Sequence, residues 1–292
     1  RRNSKMALQP HWDNRAVSSM LAFVDHTILA TGQAFTNTAS NFYKISGNIS
    51  PYTIYAAPYR PFVADKSVPN ATIMSGIWLN NSFITTCQSG FVDINYEKGL
   101  VYFTGNVVPN PTVSGRYAVK DFTTVLTNKP DEKLLFELKH YLKPRVGDTI
   151  TGLALNDITF PVIYLKNLGG ANEPAALGGL DKSDLTIRAI IIADSLFARD
   201  AVCGLLKDKA RSVIGLFTAN EMPFNSLGGF KNGDYDYNRI VSGKIGEDTI
   251  FLEKAKTSVF SQEAFTELNA VNTEAFISFT DFQICGYRYP RR

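Results

Sequence analysis

The chain has 292 residues, room for about two domains of roughly 150 residues each, and its 45% hydrophobic and 20% charged residues are those of a folded protein, which excludes intrinsic disorder. Lys and Arg number 30 against 27 Asp and Glu, a net charge of +3, with no run of like charges beyond Arg1-Arg2 and Arg291-Arg292. That balance excludes a basic nucleic-acid-gripping face, Gly 21 and Pro 13 exclude a collagen-like or low-complexity chain, and no run approaches the roughly 18 apolar residues of a membrane helix.

The start Arg1-Arg2-Asn3-Ser4-Lys5 is basic like the end of a secretory leader, but Gln9, His11, Asp13, Asn14 and Arg15 interrupt the apolar stretch that a leader needs, so no leader is expected. Cys87, Cys203 and Cys285 are odd in number and widely spaced, which fits free thiols in a reducing compartment.

In chain order, Val17, Leu21, Val24 and Ile28 predict a docking helix over 13–29, capped by Asp13 or Asn14. Residues 41–126 turn to short runs rich in Tyr, Phe, Ile, Val and Thr, with strands expected at 52–59, 73–79, 82–87, 91–96, 100–104 and 116–126. Residues 91–103 read as a hairpin whose turn uses Gly99, while Pro58 and Pro61 mark a strand end or edge near residue 60. Pro130, Asp131 and Glu132 start a second expected helix, with Leu134, Leu135, Leu138, Tyr141 and Leu142 on one stripe, stopped by Pro144.

A strand is expected at 159–165, a Gly-rich polar loop at 167–183, and a central strand at 185–193 with apolar residues on both faces. Asp194-Ser195 caps a helix expected over 196–214, closed by Gly215. A polar loop at 219–246, strands at 249–253 and 274–287, and a short helix at 261–269 complete the reading. The fold class is α+β: an arm and helix at 1–40, a β-rich, sandwich-like domain at 41–128, and a sheet-and-helix domain at 129–292.

The chemical templates fail on missing residues. His11, His26 and His140 form no H-E-x-x-H pair and none lies close to a Cys; there is no G-x-S-x-G elbow, and Gly228-Gly229-Phe230-Lys231-Asn232-Gly233 has the wrong order for a phosphate loop. Asp234-Tyr235-Asp236-Tyr237-Asn238 begins like a calcium loop, but Arg239 replaces the glycine and Ile245 the bidentate glutamate, so it reads as a plain acidic loop. Cys203 with Lys207 one turn later reads as a packing residue, or else as a thiol of lowered pKa. The sequons at Asn48, Asn70 and Asn80 read as turns. Paired carboxylates for glycoside hydrolysis are defined by a spatial separation that a linear sequence does not display. No catalytic, cofactor-binding or metal-binding residue is assigned.

Residues 76–80, the 91–103 hairpin and Tyr117-Ala118-Val119-Lys120-Asp121-Phe122 resemble β-modules of tailed-bacteriophage structural proteins. Residues 134–142, Phe160-Pro161-Val162-Ile163-Tyr164-Leu165, Leu177-Gly178-Gly179, and 185–193 running into Arg199-Asp200-Ala201-Val202-Cys203-Gly204-Leu205 resemble the tail-terminator (tail-completion) family. The resemblance implies a virion neck protein without catalysis or cofactor, assembled in the host cytoplasm. It also implies a homo-oligomeric ring, expected as a hexamer, that joins the tail tube, and any sheath, to the head connector. The β-rich part departs from compact members of that family. Loops 167–183 and 219–246 and the arms 1–9 and 287–292 are the expected contacts, with neither membrane nor sequence-specific nucleic acid as partner. Two alternatives stand beside it: another virion position, connector or baseplate, and a carbohydrate-active or sugar-binding protein using Trp78, Tyr96 and Tyr102 as stacking platforms.

Overall fold

The computed structural model describes residues 12–45, 52–105, 111–131, 133–134, 159–218, 220–223, 234–260 and 275–289. These residues form a strand-rich α+β fold with two sheets. The expected helix at 261–269, most of the one beginning at Pro130, His11, His140, Asn48, residues 228–233 and the arm 1–9 lie outside the described residues.

Helix α1 (Trp12–Leu29) is buried on all sides from Ser18 to Leu29 except at His26, as suits a helix enclosed between layers rather than one resting on a surface. Strand β1 (Phe35–Lys44) follows, unforeseen because its Thr, Asn and Ser residues leave only Phe42 buried and mask the alternation. The first sheet adds β2 (Tyr52–Ala56), β3 (Ile77–Leu79), β4 (Ser82–Ile84), β5 (Phe91–Asn95), β6 (Leu100–Thr104) and β7 (Val113–Lys120), in the order β4-β3-β7-β1-β2-β6-β5.

Residues 61–63, where prolines marked a strand end, join the far sides of this sheet. Phe62 N–H donates to Tyr96 O at 2.7 Å just beyond β5, while Val63 N–H donates to Ala118 O and Lys120 N–H to Pro61 O, both at 2.8 Å, on β7. The strands from β7 to β5 thus curl into a small barrel bridged by 61–63, with β3 and β4 continuing outward from β7. Phe62 fills it: Tyr117 lies 4.3 Å away between ring centroids, Tyr96 6.0 Å and Phe42 6.4 Å.

The strand expected over 116–126 is two. After β7 the chain breaks at Asp121-Phe122, Phe122 enters the core, and β8 (Thr123–Leu126) joins the second sheet. That sheet has the order β11-β12-β13-β10-β9-β8, with β9 (Val162–Ala176), β10 (Leu180–Ala193), β11 (Val213–Gly215), β12 (Thr249–Val259) and β13 (Phe276–Arg288).

The expected polar loop at 167–183 is therefore a hairpin of two long strands. Its composition misleads because residues 167–176 are exposed on both faces, so neither face demands apolar residues, while the backbone ladder to β10 forms regardless of side chain. Gly170 belongs to that ladder: a Cβ there would lie 1.8 Å from Asp184 O. Tyr287 and Arg288, expected in an arm, pair with Lys182 and Asp181 within β13.

Helix α2 (Leu196–Lys207) is capped by Ser195, whose hydroxyl accepts from Ala198 N–H at 3.2 Å. It ends seven residues short of the expected boundary. Arg211 takes a left-handed φ of 68° and Val213–Gly215 pairs with Phe251, Ile250 and Thr249, so Gly215 sits in a strand, not at a helix end.

α1 and α2 share one face of the second sheet, over Leu185, Ile187, Ala189, Ile191, Phe282 and Ile284, in one apolar core continuous with the barrel. The opposite face carries Ile190, Ile192, Ile277, Val162 and Tyr164 with Leu134 and Phe160. Leu134 N–H donates to Pro130 O, and Asp131 pairs with Lys166 at 2.8 Å and Arg188 at 3.4 Å. The start of the second expected helix is thus set on that face, and the helix beside α2 is α1.

Candidate functional site

Two polar centres fasten the barrel to α1. Lys120, at the end of β7, donates from Nζ to both carboxylate oxygens of Asp25 on α1, at 2.5 and 2.7 Å, and Thr124 donates to the same carboxylate at 3.0 Å. Beside them, His26 Nδ1 lies 2.7 Å from Asp65 Oδ2, and Ser67 donates to Asp65 Oδ1 at 2.7 Å. Burial of Asp65 disfavours its charge. The hydrogen bonds from His26, Ser67 and the Tyr237 and Ser67 backbone N–H groups outweigh it and hold the carboxyl below its usual range.

His, Asp and Ser here do not form a proton relay. Ser67 Oγ and Asp65 both meet Nδ1, at 3.3 and 2.7 Å, whereas a relay puts nucleophile and carboxylate on opposite ring nitrogens. Tyr237 stacks on His26 at 4.4 Å and closes the cluster.

The stretch 234–238 has more structure than a plain acidic loop. Asp234 pairs with Lys66 at 2.8 Å, Tyr235 bridges to Asp65, and Asp236 caps α3 (Tyr237–Val241) by accepting from Arg239 N–H at 2.9 Å. The Asp234 and Asp236 carboxylates are directed to separate partners, so they do not converge as cation ligands.

A third cluster lies on the sheet face opposite α1 and α2. Asp184, Glu253 and Cys285 bring ligand atoms within 4.8 Å of one another, the donor set that would hold a metal ion. Lys182 supplies the cation itself, 3.1 Å from Asp184 and 3.0 Å from Glu253. Its hydrogen bond holds Glu253 below the usual carboxylate range, while burial and Glu253 push the Cys285 thiol up to about 11.

Cys203 is a packing residue: it is buried with Sγ 2.9 Å from Ser278 Oγ, and burial raises its pKa over the opposing effects of Ser278, Arg199 and Lys207, which overturns the lowered-pKa reading. Two of the three expected stacking aromatics are buried, while Trp78 is half-buried. Tyr96 is fully buried and donates to Met74 O, Tyr102 is buried edge-on to Tyr52, and Trp78 packs on Phe83 under Arg116. Asn70 and Asn80 occupy left-handed turn positions, φ 64° and 48°, as expected.

What remains exposed and regular is the arm formed by β9 and β10. Beyond Leu165, where β8 ends its pairing, residues 167–176 are all exposed, and the tip carries Leu177 fully in solvent before Gly178 and Gly179. Toward its tip, where β13 still runs beside β10, Arg288 ties β13 to the arm, donating to Ser183 at 2.6 Å and Asn172 at 3.3 Å and lying 5.2 Å over the Trp12 ring. Trp12 in turn rests on Gly286, where a Cβ would meet its ring at 2.9 Å. The arm is an extension anchored on the core. In sequence its only trace is the run of small residues around two glycine pairs.

No protein-family model matches the chain, and the search of curated proteins finds no relative.

Proposed function

We propose that this protein is a structural virion subunit of a tailed bacteriophage, a ring-forming neck or tail-terminator component that joins the tail tube to the head connector. The resemblance of 134–142, 160–165 and 185–205 to the tail-terminator family supplies the class. The observation that carries it furthest is the arm: ten consecutive exposed residues of β9, held in extended conformation at the edge of a sheet, with an exposed Leu177 at the tip. An extended strand with exposed faces and an open edge gives its own subunit little burial, and it suits contact with neighbouring copies.

The arrangement of α1 and α2 on one face of the sheet fits the helix–sheet–helix plan of that family, with the leading helix supplied by α1 and the barrel inserted between α1 and the sheet. The sandwich-like first domain of the sequence reading becomes, in this proposal, a barrel riding on the ring-forming sheet. The polar centres act as joints holding barrel and sheet at a fixed angle.

Electron microscopy of tail tubes incubated with the purified protein tests the proposal. Rings seated at one end of the tubes are the expected result. Bare tube ends at saturating protein, with no self-association, would contradict it.

A further inference from the structure

The second sheet ends in two open edges that match. On one side β8 covers β9 only at Val162–Leu165, which leaves the outer edge of 167–176, the edge away from β10, without a partner strand among the described residues. On the other, β11 covers β12 only at Thr249–Phe251, with Ser212 and Arg211 extending the cover to Leu252, so 254–259 is unpaired in the same sense. β9 and β10, β10 and β13, and β13 and β12 are each antiparallel, so β12 runs opposite to β9. A second copy set beside the first in the same orientation therefore presents β12 antiparallel to β9, with both open edges facing.

Charge narrows the register to two choices, Glu173 opposite Lys254 or opposite Lys256. Glu173 stands opposite Lys182 and so lies on the face away from α1 and α2. Lys254 and Lys256 stand opposite Gln283 and Asp281, on that same face after the bulge at Glu253. Glu173, Lys254 and Lys256 are exposed and make no ion pair among the described residues. With Glu173 opposite Lys256, the whole of 254–259 falls within the open part of β9 and Ala171 falls opposite Ser258.

The free edges lie at opposite ends of the sheet, so each neighbour is displaced along the strands. Such a stagger is what strands closing into a ring require.

We propose that copies of this chain join head to tail by pairing the β9 edge of one subunit, residues 167–176, with the β12 edge of the next, residues 254–259, with Glu173 facing Lys256. The inference rests on the ring-forming reading and names its surface. Pro174 and the two lysines keep the edges from indiscriminate pairing, because only an in-register copy neutralises the charges.

The test uses the full chain with Cys87→Ser to remove the exposed thiol, and reads assembly by light scattering. Hydrogen exchange on the assembled protein is expected to slow at both 167–176 and 254–259. Ala171→Cys combined with Ser258→Cys is expected to give a disulfide ladder up to the ring size, with no cross-link from either single variant. Glu173→Lys is expected to raise the concentration for half-assembly about fivefold, and adding Lys256→Glu to restore it. Dimers from Ala171→Cys alone would mean that β9 pairs with itself and would overturn the head-to-tail arrangement. Assembly with both edges still exchanging freely would overturn the edge pairing and leave the ring reading standing. Failure to assemble at any concentration, with or without tail tubes, would overturn both.

Discussion

Lys120 on β7 and Asp25 on α1 form a doubly hydrogen-bonded ion pair with side chains 3% and 0% exposed, and this pair fastens the barrel to α1. A buried pair contributes little net stability, yet removal of one member strands the other charge out of water. Lys120→Met is therefore expected to cost about 3–5 kcal/mol. Lys120→Met with Asp25→Leu is expected to cost less than the single change, as urea denaturation would read. A single variant within about 1 kcal/mol of the parent would show that water reaches the pair.

Asp65 contributes to the acid sensitivity of the fold. Its carboxyl titrates below the ordinary value of 3.8 in the folded state, so folding favours the ionised form. The stability this contributes is complete above that ordinary value and is lost as pH falls through the lowered one. Melting temperatures from pH 7 down to pH 2 should fall less steeply for Asp65→Asn than for the parent, from a lower starting point. Parallel curves would remove Asp65 from the acid transition.

Thiol reactivity separates the three cysteines. Cys87 is exposed, whereas Cys203 and Cys285 are buried and both have raised pKa values, Cys285 to about 11. At pH 8 one thiol per chain should react with an aromatic disulfide reagent in the native protein and three in denaturant. Two fast thiols in the native state would contradict the burial of Cys203 or of Cys285.

Phe62 carries the barrel core. Its ring is surrounded by Tyr117, Tyr96 and Phe42, and Phe62→Ala is expected to cost about 3–5 kcal/mol, with Phe62→Leu costing well under half of that. Calorimetry would check both. A loss below about 1 kcal/mol for the alanine would mean that the barrel closes without it.

The parts of this fold that are legible in the sequence are those where burial is one-sided or complete. α1, the 91–103 hairpin and the 185–193 run announce themselves through period or continuous apolarity because the core selects each residue. β1 and the arm escape for the opposite reason: Thr36, Asn37, Asn172 and Glu173 face solvent, so pairing rests on backbone groups that every residue carries. Barrel closure by Phe62 and the pairing of Asp25 with Lys120 are long-range, and prolines at 58 and 61 point to an ending where the chain makes a bridge. The same limit hides the open edges of β9 and β12, since an unpaired strand differs from a loop only through its neighbours.

The mass of the purified protein in solution, followed by light scattering across concentration, bears most directly on the central claim. A single subunit has 32.3 kDa. The expected result is a closed species of fixed multiple of that mass, formed alone or on addition of tail tubes. A strict monomer at every concentration, indifferent to tubes, would contradict it.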